Sequence, residues 1–336
     1  MTADITSTST SGASGTGETK HRRFGLSTLR GSTLLLVLIA LIVVFSIQSS
    51  LFFTYGNFVS VLQACVVVGL LALGLTVVVL TGGIDLSFAS VLALTSVTAG
   101  AINVSLGLPA IVAVVGALGV GAASGAVNGL LVAITQLQPF VVTLGTYSIA
   151  LSIALAVSGG GPIQGFSEDF LDLTAYRIAG IPTAVFVLAI VVALLWVATK
   201  KTRWGRFVYA TGGNENAARL AGVRIKRIKF SAYVLCGVTA ATAGVLNTST
   251  LQVAQPQPGF NLLLTGVAAV VVGGASLTGG VGSIGGTVVG IALLAVLANG
   301  LNVLTVAPFW QNLVLGLVII GSVLLNETVR ARTAQR

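Results

Sequence analysis

The sequence predicts an all-α, polytopic integral membrane protein of about ten transmembrane helices, and three observations carry that prediction. Hydrophobic residues make up 55% of the 336 residues and charged residues only 7%, against roughly 25% charged in a soluble globular domain. Apolar runs of about 18 or more residues recur along the whole chain, which a single anchor or one buried core helix does not require. The cations fall into three clusters: Lys20, Arg22, Arg23 and Arg30; then Lys200, Lys201, Arg203, Arg206, Arg219, Arg224, Lys226, Arg227 and Lys229; then Arg330, Arg332 and Arg336, with Arg177 alone elsewhere. Under the positive-inside bias the clusters face the cytoplasm, so an even number of crossings separates each pair, and six and four satisfy this. Both termini are then inside. The same placement argues against reading the net charge of +9 as a nucleic-acid footprint, and no nucleic-acid partner is expected.

The elements follow in order. Residues 1–30 open with a Ser/Thr/Gly-rich stretch and read as a disordered cytoplasmic tail, and 327–336 as a second, short tail. Between them, 31–326 form the membrane domain. The runs are Thr33 to Ile47, Val59 to Leu80, Ser87 to Ile102, Leu108 to Ile134 and Phe140 to Val157, then Ile181 to Ala198, Phe230 to Leu246, Leu262 to Val272, Val281 to Val303 and Val306 to Leu325. Helices are expected throughout because they satisfy every backbone polar group within one segment, and the runs lack the alternation of barrel strands. The runs from Ser87 and from Leu262 are short for a span and lie beside Gly82-Gly83 and Gly273-Gly274. They predict one or two broken or re-entrant helices, and irregular backbone at membrane depth marks a protein-lined path. Two GxxxGxxxG runs, at Gly121, Gly125, Gly129 and at Gly282, Gly286, Gly290, predict close helix contacts. Each leads to an Asn-Gly pair and then a Pro-Phe step, an echo that raises an internal repeat.

Chemistry is sparse. The chain has no G-x-x-x-x-G-K-[ST] cradle, no metal-ligand cluster and one histidine, His21; Cys65 and Cys236 sit alone in apolar stretches as small hydrophobes. Neither an enzyme nor a metal site is expected. Active transport would draw on ion coupling within the membrane or on an ATPase in another chain, and one clear ionisable candidate within the spans, Asp85, disfavours the first. Asp85 has two readings, a cap on the following helix and a solute contact. Ser87 is a further pathway candidate, as are Gln63, Asn128, Thr143 and Asn299, which read more readily as interhelical hydrogen bonds than as sugar ligands. The external loop 158–180 carries Glu168, Asp169, Asp172 and Arg177, a docking surface for an outside partner or a plain solvated loop. In the cytoplasmic loop 200–229, Asn214 is a suitable N-cap, Glu215 complements a helix start, and Gly222 suits its stop.

The stretch Thr211 to Gly222, with Gly-Gly-Asn, Ala-Ala-Arg and a closing Gly in order, resembles the cytoplasmic coupling helix of the ribose, xylose, arabinose and galactose class of ABC permeases. Three more segments agree in order: Thr81-Gly82-Gly83-Ile84-Asp85-Leu86-Ser87; Asn128-Gly129-Leu130 leading to Pro139-Phe140-Val141-Val142-Thr143-Leu144-Gly145; and Val272-Gly273-Gly274-Ala275-Ser276-Leu277 leading to Gly285-Gly286-Thr287. The resemblance implies the multi-pass permease subunit of a monosaccharide importer in the cell membrane. It implies a second permease copy or homologue, a cytoplasmic ATPase subunit that holds ATP and magnesium, and an extracytoplasmic sugar-binding protein. By the same resemblance Asn214, Glu215, Ala217, Ala218, Arg219 and Gly222 form the surface that meets the ATPase, and this chain binds no cofactor itself. An ion-coupled carrier and a passive channel are the competing readings.

Overall fold

A computed structural model describes residues 26–321 apart from 136, 258, 259 and 319. Residues 1–25 of the expected N-terminal tail and the C-terminal residues 322–336 lie outside the described residues, whereas 26–30, expected in that tail, already belong to the first helix. The chain is helical at every predicted run: α1 (Leu26–Gln48), α2 (Tyr55–Leu80), α3 (Phe88–Gly100, continued by a π-helical turn at Ala101–Ser105), α4 (Ala110–Ile134) and α5 (Pro139–Ser158). After the external α6 (Glu168–Ala175) come α7 (Thr183–Lys201), α8 (Arg203–Gly213), α9 (Glu215–Leu220), α10 (Ile225–Leu251), α11 (Phe260–Val272), α12 (Ile284–Val303) and α13 over 308–318. Seven of the described helices are long and apolar enough to cross a membrane, with Leu34–Gln48 and Asn261–Val272 apolar but shorter.

The centre is built from α2, α3 and α10. Leu70 to Leu80 is buried without interruption, as an apolar helix surrounded by protein must be, and Tyr233 of α10 is fully buried beside it. Around this centre α4, α5 and α7 turn large side chains outward, among them Ile111, Val115, Ile149, Ile190 and Leu194. An apolar outer surface is what lipid, not water, selects. The first glycine run packs as predicted: Cβ atoms on Gly121, Gly125 and Gly129 would strike the backbone or Cβ of Gly237, Ala241, Tyr233 and Phe230, so α4 and α10 touch nearly backbone to backbone. The second run is corrected in part. Gly282 lies outside the helix, because Ser283 is the N-cap of α12 and accepts from the Gly286 N–H; Gly286 and Gly290 pack against Gly273 and Ala269, while Gly282 packs from the loop against Ala275.

Two-residue ladders, absent from the sequence reading, brace the loop before α7. Ile163–Gln164 (β1) pairs antiparallel with Val253–Ala254 (β4), and Arg177–Ile178 (β2) with Ile181–Pro182 (β3). The π turn after α3 presents Asn103, whose amide donates to the Leu108 carbonyl and to Ser167 Oγ and accepts from the Ser167 N–H. The external loop is therefore tied to α3 and α10 and does not hang free.

Candidate functional site: two helix breaks and an elbow

The two broken helices end in the same way. At α2, Gly82 (φ +81°) donates to the Val79 carbonyl and Gly83 to Val78; at α11, Gly274 (φ +85°) donates to Val271 and Ala275 to Val270. Both are Schellman stops with glycine at the left-handed position, and they turn the chain sharply where a longer helix would have continued. The sequence reading expected broken or re-entrant helices beside these glycine pairs; α2 runs its full 26 residues before its stop and Phe88–Ser105 is long and apolar enough to cross, so of the two short runs only the one at α11 stays short.

Behind the first stop lies a buried polar chain. Asp85 Oδ1 accepts from the Ser87 N–H at 2.8 Å and the Ser87 hydroxyl at 2.7 Å, with the Phe88 N–H and the Cys236 thiol beside the carboxylate. The Asn128 amide donates to Ser87 Oγ at 2.8 Å, and Asn128 Oδ1 accepts from the Thr146 hydroxyl at 2.6 Å. Thr143 and Tyr233 both donate to the Ile84 carbonyl. The break, α4, α5 and α10 are thus joined by one network around the start of α3, where free N–H groups and the helix dipole favour a carboxylate. Asp85, Ser87, Asn128 and Thr143 are all closed off from solvent, at 2%, 1%, 0% and 0% exposure. Asp85 thus sits just ahead of α3, bonded to Ser87, the N-cap residue, which makes no side-chain capping bond of its own. Sequence reasoning missed Thr146, Tyr233 and Cys236 as members; only Cys236, a polarisable thiol in an apolar run, had been noticed, and it had been read as packing.

The other pathway candidates stand apart. Gln63 is half-buried on α2, about five helical turns before the break. Asn299, on α12, donates to Asn57 Oδ1 of α2 at 2.9 Å, and its own Oδ1 is buried without a hydrogen-bond partner among the described residues.

In the basic loop between α7 and α10, α8 and α9 form an elbow. The sequence showed only the second arm. The first, α8, is capped by Thr202, which accepts from the Gly205 N–H, and buries Gly205, Val208 and Thr211. The α9 arm begins as predicted, with Asn214 Oδ1 accepting from the Ala217 N–H. It ends at Gly222 (φ +82°), where Gly222 donates to Arg219 and Val223 to Ala218. Glu215 accepts from Lys229 Nζ at 2.7 Å and Arg219 Nη2 at 2.9 Å; the Lys229 bond, with the positive charges beside it, holds the Glu215 carboxyl below the ordinary carboxylate range. This clamps α9 to the start of α10. Asn214, Ala217, Arg219 and Gly222 are exposed, but Ala218 is buried against its own chain, which corrects its placement on the partner-facing side. The helix phase accounts for this: Ala218 faces inward, and the outer end of α9 is Leu220, a large apolar residue left 91% exposed.

The elbow and both breaks meet at one point. The Gly280 N–H, in the loop after α11, donates to the Leu80 carbonyl at the end of α2. A Cβ on Gly212, at the end of α8, would collide with that same carbonyl and with the Gly280 nitrogen; one on Gly279 would come within 2.7 Å of Gly82 Cα, and one on Gly280 within 2.6 Å of Gly213 Cα. Tyr209 Oη of α8 donates to the Gly282 carbonyl. Three backbones so close act as one mechanical unit, because close-packed interiors transmit displacement.

At the external loop, α6 buries Phe170 and Thr174 and leaves Glu168, Asp169 and Asp172 exposed, as is Arg177. Asp169 also serves the fold: its Oδ2 accepts from the Ala110 N–H at the start of α4, and bonds from the Ser167 hydroxyl and that N–H lower its pKa.

Outward-facing apolar helices around a buried centre, with the α8–α9 elbow seated on two glycine stops, are the architecture of a multi-pass membrane protein. The family model described as branched-chain amino acid transport system / permease component matches residues 57–323. The ribose import permease protein RbsC of Escherichia coli is 41% identical over 312 residues, covering 91% of this chain and 97% of that protein. The D-allose transport system permease protein AlsC of Escherichia coli is 34% identical (93% and 96% covered), and the fructose import permease protein FrcC of Rhizobium meliloti 36% (88% and 85%). A solved chain from an inward-facing metal-chelate type ABC transporter shares the fold, with TM-score 0.50 at 13% identity over 92% of this chain and 99% of that one. The chain belongs to this permease family and is the integral, multi-pass membrane subunit of an ABC importer.

Proposed function

We propose that this chain forms the translocation pathway for a monosaccharide, a pentose or hexose, and is driven through α9 by a separate ATPase subunit that holds ATP and magnesium. Relatives named for ribose, allose and fructose import support the substrate class. The observation that carries the mechanism is the backbone junction of Gly212, Leu80 and Gly280, since a partner that moves the elbow moves both breaks with it. ATP-driven motion of the docked subunit then biases the permease between its two access states. On this reading the chain crosses ten times with both ends inside, Asn214, Ala217, Arg219 and Leu220 meet the ATPase, and Glu168, Asp172 and Arg177 meet an external sugar-binding protein. A second copy lies along α5, whose outward face carries Gly145, Ser148 and Ser152 among apolar neighbours, a small and polar surface that suits protein better than lipid.

Uptake of radiolabelled ribose into proteoliposomes tests the reading. Accumulation is expected only with the ATPase, ATP and a sugar-binding protein present. Accumulation by the permease alone on an ion gradient would show a secondary carrier, and downhill flux without partners a channel. Leu220→Asp is expected to cut ATPase co-purification by tenfold or more while leaving membrane insertion intact, about 1.4 kcal/mol or more from a charge placed in an apolar contact.

A further inference from the structure

Beside the elbow, the cytoplasmic ends of α4 and α5 and the segment from α9 into α10 enclose a cleft of about 750 Å3. One wall is apolar, from Val132, Ile134, Leu137 and Pro139; the other carries Arg219, Arg224, Lys226, Arg227 and Lys229, with Glu215 the single carboxylate. Glu215 is occupied by Arg219 and Lys229. Arg224, Lys226 and Arg227 are exposed and form no salt bridge among the described residues. Three uncompensated cations therefore face an apolar wall, and that wall continues upward as outward-facing surface at Ile134, Leu137, Phe140 and Val141, 60%, 54%, 46% and 55% exposed.

We propose that this cleft seats the headgroup of an anionic phospholipid of the cytoplasmic leaflet, with Arg224, Lys226 and Arg227 on the phosphate and the acyl chains along α4 and α5. The charge calls for an anion, and guanidinium groups bind phosphate oxygens in a planar, paired geometry. The apolar wall selects among anions. A soluble phosphate gains nothing from Ile134 and Leu137, whereas a phospholipid matches both walls at once, and basic pockets on the cytoplasmic side of helical membrane proteins take such headgroups. The positive-inside placement of the loop puts the cleft at the leaflet that carries the negative surface potential. A lipid held there touches both the α4–α5 turn and the clamp that fixes α9, so leaflet composition would bear on the elbow.

The full-length permease, purified from membranes and exchanged into nanodiscs holding phosphatidylglycerol and phosphatidylcholine in equal amounts, tests this by native mass spectrometry of retained lipid. Phosphatidylglycerol is expected to be retained preferentially. Arg224→Gln combined with Arg227→Gln should reduce that preference on the order of ten- to thirtyfold, whereas Arg203→Gln with Arg206→Gln, in the same loop outside the cleft, should leave it unchanged. In the parent protein the preference should weaken as ionic strength rises, a reading that needs no variant to fold. No preference in the parent, a preference indifferent to salt, or an equal loss in both double variants would overturn the proposal. Displacement of the lipid by inorganic phosphate at comparable concentration would assign the cleft to a soluble anion. Lipid retention unchanged in Arg224→Gln with Arg227→Gln, alongside lost ATPase co-purification, would assign it to the protein partner instead; either result sinks the lipid site.

Discussion

The break after α2 and the break after α11 share a backbone and differ in everything attached to it. Each is a glycine-terminated stop, and both touch the end of α8 through Leu80, Gly279 and Gly280. The first is filled by a carboxylate that accepts from the Ser87 N–H and hydroxyl, and Ser87 in turn ties it through Asn128 to α5. The second has no charged side chain from Val272 to Ser283. The backbone geometry alone makes a break, and the polar network adds rigidity to one of them. The first break thus reads as the fixed partner and the second as the more yielding one.

Removing the polar filling should separate them most. Asp85→Leu leaves several buried donors without an acceptor, at roughly 1–3 kcal/mol each, and is expected to lower thermal stability in detergent more than any substitution in the second break. A small effect would mean the network is incidental. The backbone, by contrast, should respond alike on both sides. Gly82→Ala and Gly274→Ala each force a side chain into the left-handed region, which costs about 1–2 kcal/mol; clearly unequal losses would contradict the shared design. The smallest effect lies outside both breaks, at the elbow. Because Lys229 lowers the Glu215 pKa, the stability from that clamp is complete above the ordinary Glu value of 4.5 and is lost as pH falls through the lower folded value. Thermal melts should be flat from neutral pH down to about the ordinary Glu value, and any loss below it that Glu215→Gln abolishes should stay under about 1 kcal/mol, since the pair is partly exposed.

Much of this was legible in the sequence because it depends on local rules. Span positions follow from apolar run length, the ends of α9 from Asn214 and Gly222, and the two breaks from paired glycines beside short runs. Asp85 as a helix-start carboxylate also follows from its place two residues before Ser87. What escaped depends on helices meeting across distance. Tyr233, Cys236 and Thr146 join Asp85 and Asn128 only once α4, α5 and α10 pack, and no spacing within one helix announces it. The echo between Asn128-Gly129 and Asn299-Gly300 did not survive as chemistry, since Asn128 sits in the network and Asn299 pairs with Asn57. The first arm of the elbow was hidden because Gly205, Gly212 and Gly213 weaken its helical signal. They are there because neighbouring backbone leaves no room for a side chain at Gly205 and Gly212.

The central claim is that the elbow moves both breaks through the glycine junction. The most direct test is the number of sugar molecules imported per ATP hydrolysed by the reconstituted importer carrying Gly212→Ala, a substitution that wedges a methyl group against the Leu80 carbonyl. The account predicts that the ATPase still binds and hydrolyses while the import ratio falls severalfold. An import ratio equal to that of the parent, in a properly inserted variant, would contradict it.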